Sequence, residues 1–230
     1  MYKTVCCMLA GFIAGVCAAD TLDGREITLK AGAQASAHAP VALPYEGEAP
    51  DTSVAVFDEE ADKSYPVTIR DGQFVFILES LEAQKKHTCQ VKVLDKAEAP
   101  GVVIKEQEDA DVLEVYINGE HFTNYNYSNE NKKPFLWPVY AEGGVTITRN
   151  WPMGEVEINS VGKDSDDHVH HRSIWTSWGD LNGVDCWGEG GGSGFQHSEE
   201  VTWGVGDAYG WIHAKNVWQD KDHQPVIDEE

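Results

Sequence analysis

Apolar and polar positions alternate over short stretches through the first half of the chain. Ser53-Val-Ala-Val-Phe57, Tyr65-Pro-Val-Thr-Ile69, Gln73-Phe-Val-Phe-Ile-Leu78 and Thr88-Cys-Gln-Val-Lys-Val-Leu94 are rich in β-branched and aromatic residues and are separated by Asp, Gly and charged turns. Runs of this length and spacing predict a small antiparallel sandwich. Asp71-Gly72 between two of the runs predicts a tight hairpin, because Gly tolerates the positive φ such turns demand.

Further along, Val112-Leu-Glu-Val-Tyr-Ile117 is followed by Asn118-Gly119 and then by His121-Phe-Thr-Asn-Tyr-Asn-Tyr127. Asn-Gly between alternating runs is a strong short-range hairpin signal. The period of two puts Phe122, Asn124 and Asn126 on one face and Thr123, Tyr125 and Tyr127 on the other. Gly144-Val-Thr-Ile-Thr-Arg149 predicts another strand, and no stretch carries a helical apolar period over three turns. The expected fold class is all-β, a small N-terminal antiparallel sandwich followed by a larger β-sandwich domain.

Composition divides the chain in the same way. All eight tryptophans fall between Trp137 and Trp218, and six of the nine histidines follow Asp167. Ala97-Glu-Ala-Pro100 reads as a linker, which gives an expected module at 20–100 and a second domain at 101–230. The chain stops at Val226-Ile-Asp-Glu-Glu230 without a turn or capping signal, so the second domain is expected to be cut short at its C-terminus.

The first nineteen residues change where the protein is expected to work. Lys3, an apolar run from Val5 to Cys17 and the small residues before Asp20 have the form of a removable export signal. The run is too short for a membrane span, which needs roughly 20 apolar residues. A secreted or periplasmic location is expected, and the sequon Asn126-Tyr127-Ser128 would be glycosylated only in a eukaryotic secretory route. Cys6, Cys7 and Cys17 belong to the signal. Cys89 and Cys186 remain, and the sequence leaves open a disulfide or two buried thiols.

The formal charge is −22, one unit more negative once Lys3 leaves with the signal. Nucleic acid and anionic lipid are poor partners for such a surface, because phosphate binding draws on Lys and Arg. No Asp-rich loop has calcium-site spacing.

Chemistry concentrates between Arg149 and His197. Asp164-Ser-Asp-Asp-His168-Val-His170-His171-Arg172 sets three imidazoles beside a fixed cation. An extended backbone would put His168 and His170 on one face, whereas a helical turn would bring His168 to His171. Three readings stand open. Two histidines with Asp167 would suit zinc or a similar ion; one histidine could exchange a proton while Arg172 holds negative charge; or the group is a hydrogen-bonded loop. Trp175, Trp178 and Trp187, interleaved with Asp180, Asn182 and Asp185, offer flat apolar faces beside short polar groups, a mixture suited to sugar rings. Gly188-Glu-Gly-Gly-Gly-Ser-Gly194 lacks the Gly-Lys-Ser/Thr ending of a phosphate loop and reads as a loop beside the site or a connector.

Pro134-Phe-Leu-Trp-Pro138, Gly143-Gly-Val-Thr-Ile-Thr-Arg149, Asp167-His-Val-His-His-Arg172 and Trp178-Gly-Asp-Leu-Asn-Gly-Val-Asp-Cys-Trp187 together resemble a bacterial family of exported proteins labelled "methane oxygenase PmoA". The resemblance covers Glu106 to the end. It implies a PmoA-like protein of unknown activity, from a family found mostly in bacteria that degrade complex polysaccharides and whose members commonly continue beyond the length seen here. Cys186 stands where that family more usually has Phe.

The expectation drawn from residues and resemblance together is an exported carbohydrate-active protein, a hydrolase or lyase. His168, His170, His171 and Arg172 are its candidate catalytic residues. Arg149, Trp175, Trp178, Asp180, Asn182, Asp185 and Trp187 are the candidate contacts to a saccharide or other small polar ligand. A non-catalytic sugar-binding or cell-surface module is the alternative, and the family label suggests a third, a metal-dependent oxidoreductase. The sequence specifies neither cofactor, metal nor oligomeric state.

Overall fold

The computed structural model of the protein describes residues 22–95, 101–155, 158–159, 162–163 and 167–230. The stretch read as an export signal, the one read as a linker at Ala97–Pro100, and Asp164 and Asp166 lie outside the described residues. The fold is all-β, built from antiparallel pairs, and among the described residues a 3₁₀ turn lies at Glu108–Ala110. No helix among the described residues is long and apolar enough to cross a membrane. The chain divides into two compact units, one comprising the residues up to Gly101 with Gly206–Tyr209, the other Val102–Val205 with Gly210–Glu230.

The first unit is one six-stranded sheet. β1 (Glu26–Lys30), β2 (Ser36–Pro44), β3 (Val54–Asp58), β4 (Lys63–Arg70), β5 (Gln73–Leu81) and β6 (Lys86–Val93) lie in the order β1-β6-β3-β4-β5-β2. Ile27 and Leu29, Val41 and Leu43, Val54 and Val56, Tyr65 and Val67, Phe74, Phe76 and Leu78, Cys89 and Val91, spaced two apart on their strands, belong to one core cluster. Asp71 and Gly72, both at positive φ, join Arg70 to Gln73 in the two-residue hairpin that their sequence predicts.

β1 and β2 are additions to the expected strands, and both are edges. β1 has only two apolar residues, and β2 carries Pro40, which an edge strand accommodates because one side of its backbone needs no partner.

The second unit holds a five-stranded sheet in the order β11-β10-β9-β8-β7. Its strands are β7 (Val102–Gln107), β8 (Val112–Ile117), β9 (Glu120–Asn126), β10 (Phe135–Ala141) and β11 (Val145–Thr146). A two-stranded ribbon, β12 (Ile158–Asn159) with β13 (Gly162–Lys163), and a three-stranded sheet of β14 (Phe195–Val205), β15 (Gly210–Gln219) and β16 (Pro225–Glu229) complete it. Asn118 and Gly119 form the predicted hairpin between β8 and β9. The strand expected over Gly144–Arg149 is shorter, because pairing with β10 covers Tyr140↔Thr146 and Ala141↔Val145 alone. Gly143 and Gly144 are both at positive φ and belong to the turn before it.

Candidate functional site

Between β13 and β14 the described chain runs as turns and bridges pinned from both sides. The amide of Leu136 in β10 donates to the carbonyl of Ile174 at 2.8 Å, and Gln196 in β14 donates through Nε2 to the carbonyl of Thr176 at 3.0 Å. These contacts hold the stretch after the histidines against regular strands.

The histidines themselves form a turn. His168 has positive φ, and the amide of His171 donates to its carbonyl at 2.9 Å. Of the two geometries open in the sequence, this is the one that pairs His168 with His171, and their rings stack with centroids 4.9 Å apart. His170 meets His171 edge-on at 4.4 Å. Trp175 stacks on His171 at 5.8 Å, and Trp187 reaches Trp175 at 4.9 Å and both His170 and His171 at 6.2 Å. Five aromatic rings therefore touch one another, while Trp187 keeps 45% of its surface exposed.

Two of these imidazoles are held below the usual histidine value. Burial, then the charges of His171, Lys133 and His168, hold His170 below the usual histidine value against the opposing Glu189. His171 is held down by burial, then by His168 and Arg149, with Asp167 opposing. His168 contacts Asp167, Nδ1 to Oδ2, at 2.9 Å.

Behind the rings lies a buried ionic group that sequence reasoning missed. Lys133 is 1% exposed; its Nζ donates to the carbonyl of Trp187 at 2.6 Å, lies 4.4 Å from the centre of the Trp175 ring, and sits 3.8 Å from Glu189. Arg172 donates to both oxygens of Glu189, Nε at 2.7 Å and Nη2 at 2.8 Å, and through Nη1 to Asn131 at 3.3 Å. Burial lowers the Lys133 ammonium below its ordinary value, with Glu189 opposing and Arg172 reinforcing. A lysine directly before the apolar Pro134–Pro138 motif was the available signal, but nothing local ties it to Glu189.

The remaining expected residues are not among the five contacting rings. Arg149 donates through Nη2 to the carbonyl of Asp167 at 3.1 Å and so braces the approach to the turn. Asp180 accepts from the amide of Gly183 at 2.9 Å, and Asn182-Gly183, both at positive φ, turn the chain between Leu181 and Val184. Asp185 accepts from the amides of Trp187 and Gly188 and from the hydroxyl of Ser193, so it ties down the glycine run; these bonds, the Gly188 amide first, hold its carboxyl below the usual range despite burial. Trp178, 64% exposed, lines a different groove of about 430 Å³ with Leu181, Trp218, Ile227 and the acids Asp228–Glu230. Cys89 and Cys186 are both buried free thiols.

Among the described residues, the side chains able to share a metal ion are Asp58, His87 and Cys89 of the first unit; the three clustered histidines do not form such a group.

A family model described as a family of unknown function (DUF6807) matches residues 112–230. No curated protein matches the chain, and no solved structure does.

Proposed function

Since the chain belongs to DUF6807, a family of unknown function, we propose from its own geometry that it is an exported carbohydrate-active protein. Its ligand face is the cluster of His168, His170, His171, Trp175 and Trp187. The observation that carries the reading is the contact of three imidazoles with two indoles, one of them half exposed. Indole faces suit the C–H faces of sugar rings, and imidazoles supply hydrogen bonds to hydroxyls. His170 and His171, held below the usual histidine value, can accept a proton from a hydroxyl, a water or a ring carbon, as a hydrolase or lyase needs.

Arg172 takes a supporting part in this scheme, because Glu189 and Asn131 engage its guanidinium. The reading thus favours neutral over carboxylated sugars. The four motifs that resemble the PmoA-like family all lie within the matched residues, and the polysaccharide-degrading context which that resemblance implies supports a glycan ligand.

A glycan panel tested against wild type, Trp187→Ala and His171→Ala decides between enzyme and binding module. Trp187→Ala is expected to weaken binding at least about tenfold, the effect of losing one stacked aromatic. An enzyme keeps binding but loses turnover in His171→Ala; a binding module shows no turnover in any form. A panel without binding by the folded wild type removes the sugar reading.

A further inference from the structure

The first unit holds a second convergence of reactive side chains. Asp58 ends β3, and His87 and Cys89 are two apart on β6, so the strand period puts both on one face. The β3–β6 register, Val56↔Val91 then Phe57↔Gln90, runs on to set Asp58 across from Cys89. Asp58 Oδ2 lies 2.5 Å from His87 Nε2, and one ligand atom from each of the three residues lies within 4.8 Å of the other two. The Asp58 side chain and Cys89 are each 1% exposed, while His87 keeps 16% of its side chain at the surface.

We propose that Asp58, His87 and Cys89 form a binding site for a divalent cation of the zinc class, with three protein ligands and a fourth position open to water. One carboxylate oxygen, one imidazole nitrogen and one thiolate sulfur are a zinc donor set, whereas calcium and magnesium favour oxygen alone. Tetrahedral bonds of zinc length place ligand atoms about 3.3–3.8 Å apart, so the three groups reach that geometry with shifts of about 1 Å. The carboxylate is already aimed. Its Oδ1 accepts the amides of Glu60 at 3.0 Å and Ala61 at 3.1 Å, which leaves Oδ2 facing His87. The ion replaces the Asp58–His87 hydrogen bond and the thiol proton. The exposed edge of His87 provides the way in.

Cobalt(II) is the probe, because thiolate ligation gives a near-ultraviolet charge-transfer band and tetrahedral geometry gives intense visible bands. The protein, stripped of metal with a chelator, is expected to take up one cobalt with both signatures and to release it to zinc. Cys186→Ser should keep the charge-transfer band, and Cys89→Ser should lose it. Asp58→Asn retains an oxygen for the Glu60 and Ala61 amides, so it should fold normally yet bind cobalt at least about tenfold more weakly. Wild type without a charge-transfer band overturns the proposal, as does a band that persists in Cys89→Ser or affinity unchanged in folded Asp58→Asn.

Discussion

Glu189 faces two cations in a nearly dry environment, with 6% of its side chain exposed against 1% for Lys133 and 19% for Arg172. Removing one member of a buried ionic group leaves the others uncompensated. Glu189→Ala is therefore expected to cost about 3–5 kcal/mol in urea unfolding. Glu189→Gln, which still offers an oxygen to Arg172, should cost less, and a loss under about 1 kcal/mol in the alanine variant would show that water reaches the group. The histidines give a pH signature. His170 and His171 titrate below the ordinary 6.5 when folded, so as pH falls through 6.5 the unfolded chain takes up protons first. Their contribution is complete above that value and is lost as pH drops toward the depressed folded values. Thermal midpoints should decline over this range, and less steeply in a His170→Gln/His171→Gln double variant. Equal slopes in the two proteins would exclude the pair as the source.

At the level of elements, two glycines separate backbone strain from packing. Gly119 sits at φ +83° in the β8–β9 hairpin with open space where a Cβ would go, so Gly119→Ala carries only the conformational cost, about 1 kcal/mol. Gly194 enters β14 without that strain, yet a Cβ there would overlap the carbonyl oxygen of Gln219 and press within 3.0 Å of Cys186 Sγ. Gly194→Ala is expected to cost about 3 kcal/mol, because the obstacle includes backbone on the paired strand. Denaturant midpoints of the two variants check the order, and a reversed order would mean that the β14 entry yields easily. The hairpins were legible because Asp-Gly and Asn-Gly act through their own dihedral angles. β1 and β2 were not, since an edge strand with two apolar residues or a proline carries little pattern and forms because a neighbouring strand offers its backbone.

For the molecule as a whole, charge dominates. A net −22 makes self-repulsion a term that opposes compaction. Raising ionic strength from about 0.01 to 0.15 M shortens the screening length from about 30 to 8 Å, so the thermal midpoint should rise. A fall would show that local pairs such as Lys215–Glu200 outweigh the collective repulsion. The sequence by itself determined the all-β class, both Gly hairpins, the acidic surface and the stretch in which histidine and tryptophan gather. Each of these is composition or a preference of near neighbours. Only the tertiary structure decided that the histidines turn so that His168 stacks on His171. It also turned Asp180, Asn182 and Asp185 into loop-formers, and it set Trp178 on another groove. Arg172 meets Glu189 from 17 residues away, Lys133 meets the Trp187 carbonyl from 54, and His87 meets Asp58 from 29. Such pairings depend on the path of the chain between partners, because a buried charge takes whatever opposite charge the folded backbone brings within reach, and no local pattern encodes that path.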